Sequence, residues 1–292
     1  MKKAIKTVLL ISLLLLVYIK RDFISSFIID EIIYKRSNKV LTYNEYYLDN
    51  DFLYVQNIDN DKIKNYQDLL NIFYTIINSG DNSFTFTCDY NKCLDDVKKL
   101  TSDDNTTIST INNFVHPYNS FSTINVDTVS TGLVTVTTNK LYSNDQIKFI
   151  DDYITKFIDN NINDSMSITD KIRVFHDYVI NNTVYSENDS RNYTAYALIK
   201  EGKSICGGYS DIMAIYLDKL GIKNYKITSE NHVWNYVFVD NNWYHLDLTW
   251  DDPIASDGNQ YLLHNFFLIT TDKLLELDDV EHNFDKNIYL EK

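Results

Sequence analysis

Three of the chain's seven glycines crowd one cysteine in the run Gly202-Lys-Ser-Ile-Cys206-Gly-Gly-Tyr-Ser-Asp-Ile-Met-Ala-Ile-Tyr-Leu-Asp-Lys-Leu-Gly221. Ile212, Ile215, Tyr216, Leu217 and Leu220 give this run an apolar stripe at helical spacing, and Gly221 is a stop. Cys206 therefore sits at or just inside a helix N-terminus. There, unpaired N–H groups and the positive end of the helix dipole favour a thiolate over a thiol. Gly207 and Gly208 leave room for a substrate backbone to approach. The same place also suits a cysteine that merely packs where loop meets helix, so other residues must decide.

His232-Val-Trp-Asn-Tyr-Val-Phe-Val-Asp240 alternates like a strand, Asp240-Asn241-Asn242 is turn chemistry, and Trp243-Tyr-His-Leu-Asp-Leu-Thr-Trp250 alternates again. This is a hairpin. Opposed positions in it sum to an odd number, so His232 and Asp247 point to one face, a pair or two apart along the ladder. His245 shares that parity nearer the turn. Trp234 also shares it and is placed to wall a cleft beside His232.

A cysteine, a histidine and a carboxylate are the parts of a thiol acyl-transfer site. The histidine takes the thiol proton and later returns one to the leaving amine, while the carboxylate orients the imidazole. A metal held by the same three residues lacks a second cysteine or a His-rich spacing, so no metal and no cofactor is expected. Asp251 and Asp252 ahead of Pro253 read as caps of the turn leaving the strand, and His176 reads as structural. His116, His264 and His282 carry no assignment.

The remainder bounds the setting. Twenty-seven basic against 41 acidic residues give a net charge of −14, which repels phosphate backbones and excludes nucleic acid as a partner. Lys2, Lys3 and Lys6 precede an apolar run from Val8 to Ile19, the pattern of an export signal, with no small-x-small cleavage site behind it. Residues 1–22 are either a cleaved signal peptide or an uncleaved membrane anchor through residues 5–19, and both place the rest outside the cytoplasm. In that oxidising setting Cys88 and Cys93 are close enough in sequence to form a small disulfide loop, leaving Cys206 over.

Residues 23–142 read as an N-terminal α+β module of unknown role. It holds a helix over 61–78, a strand at Ser83–Cys88, and Thr/Ser/Val-rich sequence from Ser109 to Thr138 that includes a strand from Gly132. Ser143 and Gln146 form a capping-box pattern that opens a helical start to residues 143–292. A further helix is expected from about Thr169.

Gly202-Lys-Ser-Ile-Cys206-Gly-Gly-Tyr-Ser210, His232-Val-Trp-Asn235 and Trp243-Tyr-His-Leu-Asp247-Leu-Thr-Trp-Asp-Asp-Pro253, in that order, resemble the transglutaminase-like superfamily in its bacterial form. The resemblance covers about residues 143–285, including Phe175-His-Asp-Tyr-Val179 and Tyr193-Thr-Ala-Tyr196. It implies a papain-like α+β core, with the nucleophile helix packed on an antiparallel sheet. This core follows the smaller α+β module and the N-terminal hydrophobic helix. By matching position it implies Cys206 as nucleophile, His232 as base and Asp247 as orienting carboxylate, with Tyr196 a candidate oxyanion donor because the family often carries an aromatic upstream of the nucleophile. Gly207 stands where animal transglutaminases carry Trp, so protein cross-linking does not simply carry over.

The expectation is an extracytoplasmic, cysteine-dependent enzyme acting on the amide of a protein, peptide or cell-wall peptide, by hydrolysis or transamidation. The alternative is a silent surface scaffold or binding module with the same fold.

Overall fold

The computed structural model describes residues 12, 14–21, 41–49, 52–102, 105–186, 193–253 and 261–289. Residues 14–19 are helical and exposed. The reading of residues 1–22 as signal or anchor otherwise lies outside the described residues. Among the described residues no helix is long and apolar enough to cross a membrane.

The first half is built on one buried helix, α1 (Tyr66–Ser79), whose Leu69, Phe73, Ile76 and Ile77 are fully enclosed. Asn65 caps it by accepting the Asp68 N–H at 2.9 Å, and Gly80 at φ 82° ends it in the left-handed region. The helix starts later than the apolar spacing suggests. Lys62–Ile63 instead pair in parallel with Thr87 and Cys88, forming β1 beside β2 (Ser83–Cys88). A four-stranded sheet follows in the order β1-β2-β4-β3, where β3 is Phe121–Thr128 and β4 is Leu133–Lys140. Two short helices, α2 (Cys93–Leu100) and α3 (Thr107–Asn112), lie between β2 and β3. The α3 residues look extended from their Thr and Ser content. They coil because Ile108 and Ile111, one helical turn apart, both bury into the core.

Cys88 and Cys93 are joined as a disulfide, tying the end of β2 to the start of α2. Closing so short a loop should contribute about 2 kcal/mol by restricting the unfolded chain. Alkylation of the native protein, read by intact mass, should label Cys206 alone, and reduction should expose two further thiols and lower the unfolding midpoint. Labelling of all three thiols before reduction would contradict the bridge.

In the second half α4 (Asn144–Asn161) opens with the reciprocal capping box of Ser143 and Gln146, and α5 (Ile168–Asn182) is capped by Ser167. A two-residue pair of strands, β5 (Val184–Tyr185) and β6 (Lys203–Ser204), brackets α6 (Ala195–Glu201). Then comes α7 (Cys206–Lys219), packed on an antiparallel sheet of β7 (Asn224–Thr228), β8 (Val233–Val239) and β9 (Asn242–Leu246). Asp240 at φ 51° and Asn241 at φ 62° make the two-residue turn between β8 and β9, one residue type that tolerates that region following another. A last helix, α8 (Thr271–Leu277), contacts β9.

The three-stranded sheet is covered on both faces. Val237, Val239 and Leu246 join the cluster under α4, α5 and α7. Trp234, Tyr236 and Tyr225 join the cluster built on α1 and the four-stranded sheet. Phe114 packs at a tilt against Tyr225 and stacks on Tyr289 at centroid distances of 5.2 and 5.5 Å, and the Asn113 side-chain amide donates to Thr228 Oγ1 and Tyr289 Oη, each at 2.9 Å. The division expected at residues 142 and 143 thus falls between two stretches of chain that share a core.

Candidate active site

Cys206 is the first residue of α7, preceded by Ile205 in extended backbone, so its N–H lies among those with no acceptor in the helix itself. Its thiol is free of disulfide and half-buried. Three successive residues of the next turn fix this helix end to three surroundings. Tyr209 Oη donates to Asp252 Oδ2 at 2.6 Å, the Ser210 carbonyl accepts from Asn235 Nδ2 at 2.9 Å, and Asp211 Oδ1 accepts from Lys226 Nζ at 2.6 Å. The second oxygen of Asp211 accepts from Tyr142 Oη at 2.5 Å, and Tyr142 in turn accepts the Ala195 N–H that opens α6. The start of α7 is therefore tied to β7, to β8 and to the turn after β9. Burial pushes the Asp252 carboxyl up to about 6 despite the Tyr209 hydroxyl bonded to it.

Gly207 and Gly208 do a different task from the one their size suggests. A Cβ at Gly207 would sit 2.8 Å from the Tyr193 carbonyl oxygen, and one at Gly208 would collide with Ser204 Oγ. The Tyr193 carbonyl and the Ser204 side chain stand where a Cβ would sit at Gly207 and Gly208. Both glycines let the segment before α6 and the β6 strand close against the start of α7.

His232 immediately precedes β8 and Asp247 immediately follows β9, so both lie at the same end of the sheet. The register pairs Asn235 with Leu246 and Tyr236 with His245, which leaves His232 and Asp247 on one face in a diagonal relation. His232 Nε2 donates to Asp247 Oδ2 at 2.5 Å, both groups buried. The Cys206 thiol lies near enough to the same imidazole to help raise its pKa. With Nε2 engaged by Asp247, Nδ1 is the ring nitrogen left for the sulfur. Burial alone pulls the His232 pKa down, but the Asp247 carboxylate and the contact with Cys206 more than reverse this and raise it to about 10. Burial pushes the Asp247 carboxyl up, yet the charge and hydrogen bonds of His232, supported by His282, hold it well below the usual carboxylate range.

His282, unassigned in the sequence, belongs to this site. Its Nε2 lies 2.9 Å from the Asp247 Oδ2 that serves His232, and its Nδ1 lies 2.8 Å from Asp278 Oδ2. Asp247 Oδ1 accepts the backbone N–H groups of Thr249 and Trp250 at 2.9 and 3.3 Å. Every acceptor direction of the carboxylate is thus occupied, which fixes its orientation toward His232. Asp278 and His282 come from beyond α8, and the sole sequence trace of the pair is its spacing of four residues.

Trp234 is fully buried and stacks on the His232 ring at 5.5 Å and 17°. It backs the imidazole rather than facing an open cleft. Its indole N–H donates to His245 Nδ1 at 3.0 Å, and His245 Nε2 lies 2.9 Å from Thr271 Oγ1. Burial, with the charge of His282 nearby, lowers the His245 pKa to about 3, so this ring is neutral and carries its proton on Nε2. Tyr196, a candidate oxyanion donor by resemblance, packs its ring edge-on to Phe149 at 5.4 Å, in the cluster under α4. The Cys206 N–H remains the donor that the helix start supplies.

Residues 155–248 match the transglutaminase-like superfamily, a segment running from α4 to just past β9 that contains Cys206, His232 and Asp247 and takes in less than half of the chain. This match supports a cysteine-dependent enzyme. Among solved structures, the crystal structure of a TGase aligns at 17% identity over 48% of this chain and 48% of its own, with a TM-score of 0.34. A candidate cysteine protease from Cytophaga hutchinsonii aligns at 13% identity over 48% of this chain and 65% of its own, with a TM-score of 0.29. The alignment spans about half of the TGase and less than two thirds of the Cytophaga protein. No curated protein gives a significant match.

Proposed function

We propose that the protein is an extracytoplasmic thiol acyl-transfer enzyme acting on an amide, with Cys206 as nucleophile, His232 as general base and then acid, and Asp247 as the carboxylate that orients and charges the imidazole. The observation that carries this reading is the position of His232, bonded through Nε2 to Asp247 at 2.5 Å with the Cys206 thiol near enough to raise its pKa.

The chemistry follows from that chain of contacts. The thiol proton passes to His232 Nδ1, and Sγ attacks the amide carbonyl carbon. The carbonyl electron pair moves onto oxygen, where the N–H groups at the start of α7 stabilise the charge. Collapse re-forms the carbonyl and breaks the carbon–nitrogen bond. The departing nitrogen takes the proton from His232, leaving a Cys206 thioester. A water molecule or an acceptor amine then gives its proton to His232 and attacks the thioester, and the same proton returns to the sulfur. Water makes the reaction a peptidase or amidase step, and an amine makes it a transamidation. A protein, peptide or cell-wall peptide is the substrate this reading expects.

Ammonia or amine release from glutamine-containing peptides, measured with and without an added primary amine, tests the reading. Wild type should release nitrogen and form a mass-detectable acyl-enzyme on Cys206, and Cys206→Ala should do neither. Absence of both events over a broad peptide panel, with a thiol that titrates as an ordinary one, would establish the silent scaffold instead.

A further inference from the structure

Below the turn that follows Asp247 lies a second convergence of histidine and carboxylate, unconnected with the nucleophile. His176 on α5 is fully buried, and its Nε2 lies 3.2 Å from Asp251 Oδ2. Asp251 is equally buried, and its other oxygen accepts the Phe266 N–H at 3.0 Å. Asp251 thus takes the His176 Nε2–H as donor, and the ring presents Nδ1 on its outer side. There Nδ1 lies 2.8 Å from Asp177 Oδ1, and His264 Nε2 reaches the same oxygen at 2.7 Å. The three atoms lie within 4.8 Å of one another.

Two ring nitrogens aimed at one carboxylate oxygen can be satisfied in two ways. Either each ring donates a proton, or one cation takes all three atoms as ligands. We propose that His176 Nδ1, Asp177 and His264 Nε2 bind a divalent first-row transition-metal ion. Imidazole with one carboxylate suits zinc and its neighbours, whereas calcium and magnesium ask for oxygen ligands throughout. Asp251 behind His176 supplies the carboxylate that commonly fixes the tautomer of a metal-bound histidine. The approach is open as well, because His264 and Asp177 are 39% and 30% exposed while His176 closes the inner side.

The other convergent group, His232, Asp247 and His282, lacks this character. All three are buried, which leaves an ion no open approach, and Asp278 holds the far side of His282. The proposed ion would instead join α5 to the stretch around residues 263–267. That stretch holds the site from behind. The Asp247 N–H donates to the Phe266 carbonyl at 3.0 Å, and the Leu263 N–H donates to the Asp251 carbonyl at 2.9 Å. Binding would therefore stiffen the end of β9 that carries Asp247.

The test is titration of the chelator-stripped full chain with Zn2+ in competition with a chromophoric chelator, beside melting curves with and without the ion. One Zn2+ per chain is expected, with a rise in melting temperature that Cys206→Ala retains. His264→Ala should weaken binding at least tenfold and abolish the rise, with an ion-free melting temperature equal to wild type. Asp251→Asn should weaken binding by about 10–100-fold. Absence of binding, binding untouched by His264→Ala, or binding lost with Cys206→Ala would each overturn the assignment, the last by placing the ion at the thiol.

Discussion

Replacing His232 with alanine is expected to cut the alkylation rate of Cys206 at pH 6 by at least tenfold. An ordinary thiol at that pH is ionised to only about 0.3%, so a sulfur whose proton has passed to a neighbouring imidazole starts with a large advantage. Part of that advantage is lost because a stabilised thiolate is a weaker nucleophile, which is why the forecast stops at tenfold. The measurement is iodoacetamide labelling followed by mass spectrometry from pH 4 to 10. Wild type should label quickly well below neutrality. His232→Ala should gain reactivity only as pH nears 8.5. Identical profiles would mean that the contact between sulfur and imidazole moves no proton, and the nucleophile assignment would fail.

The second large effect is expected at Asp247, which two buried histidines share. Asp247→Ala leaves both rings without their common acceptor. Removal of one partner from a buried ion pair costs about 3–5 kcal/mol, so the melting temperature should fall by about 10 °C. Asp247→Asn keeps the shape but turns an amide N–H toward at least one ring, and turnover should drop by about 10⁴-fold with a smaller loss of stability.

The pH dependence separates these roles. His232 has a folded pKa raised from 6.5 to about 10, so its share of stability is complete below 6.5 and is lost as pH rises through 10. Asp247 has a folded pKa lowered from 3.8, so its share is present above 3.8 and is lost as pH falls through its folded value. The gap in melting temperature between wild type and Asp247→Asn should therefore be widest between about pH 4 and 6.5, shrink as pH rises toward 10, and narrow again below pH 4. A gap independent of pH would show that Asp247 acts through packing alone.

Much of this site is readable from the chain because its geometry is local. The two-residue turn at Asp240 and Asn241 fixes the hairpin register, and register alone sets His232 and Asp247 on one face. The glycine-rich run before an apolar stripe places Cys206 at a helix start for equally local reasons. His282 escapes because nothing near it in sequence says where the chain after α8 returns. The same holds for His264, whose neighbour His176 lies far upstream on α5. Composition misleads where burial overrules it. The threonine-rich start of α3 looks extended, yet Ile108 and Ile111 decide in favour of a helix. The glycines beside Cys206 suggest open space because a sequence shows which side chains are missing but not what occupies their place.

The shared core has a consequence for how such an enzyme could be kept silent before it acts. Many exported hydrolases are held as zymogens and released by cutting away a propeptide. The first half of this chain is unsuited to that part. Its departure would bare Tyr225, Trp234, Tyr236 and Tyr289 together. Each buried side chain of that size is worth about 1.5–3 kcal/mol, and together they approach the whole stability of an ordinary domain, about 5–15 kcal/mol. Trp234 is also the ring that supports His232. Loss of the first half would therefore also disturb the ring stacked on His232.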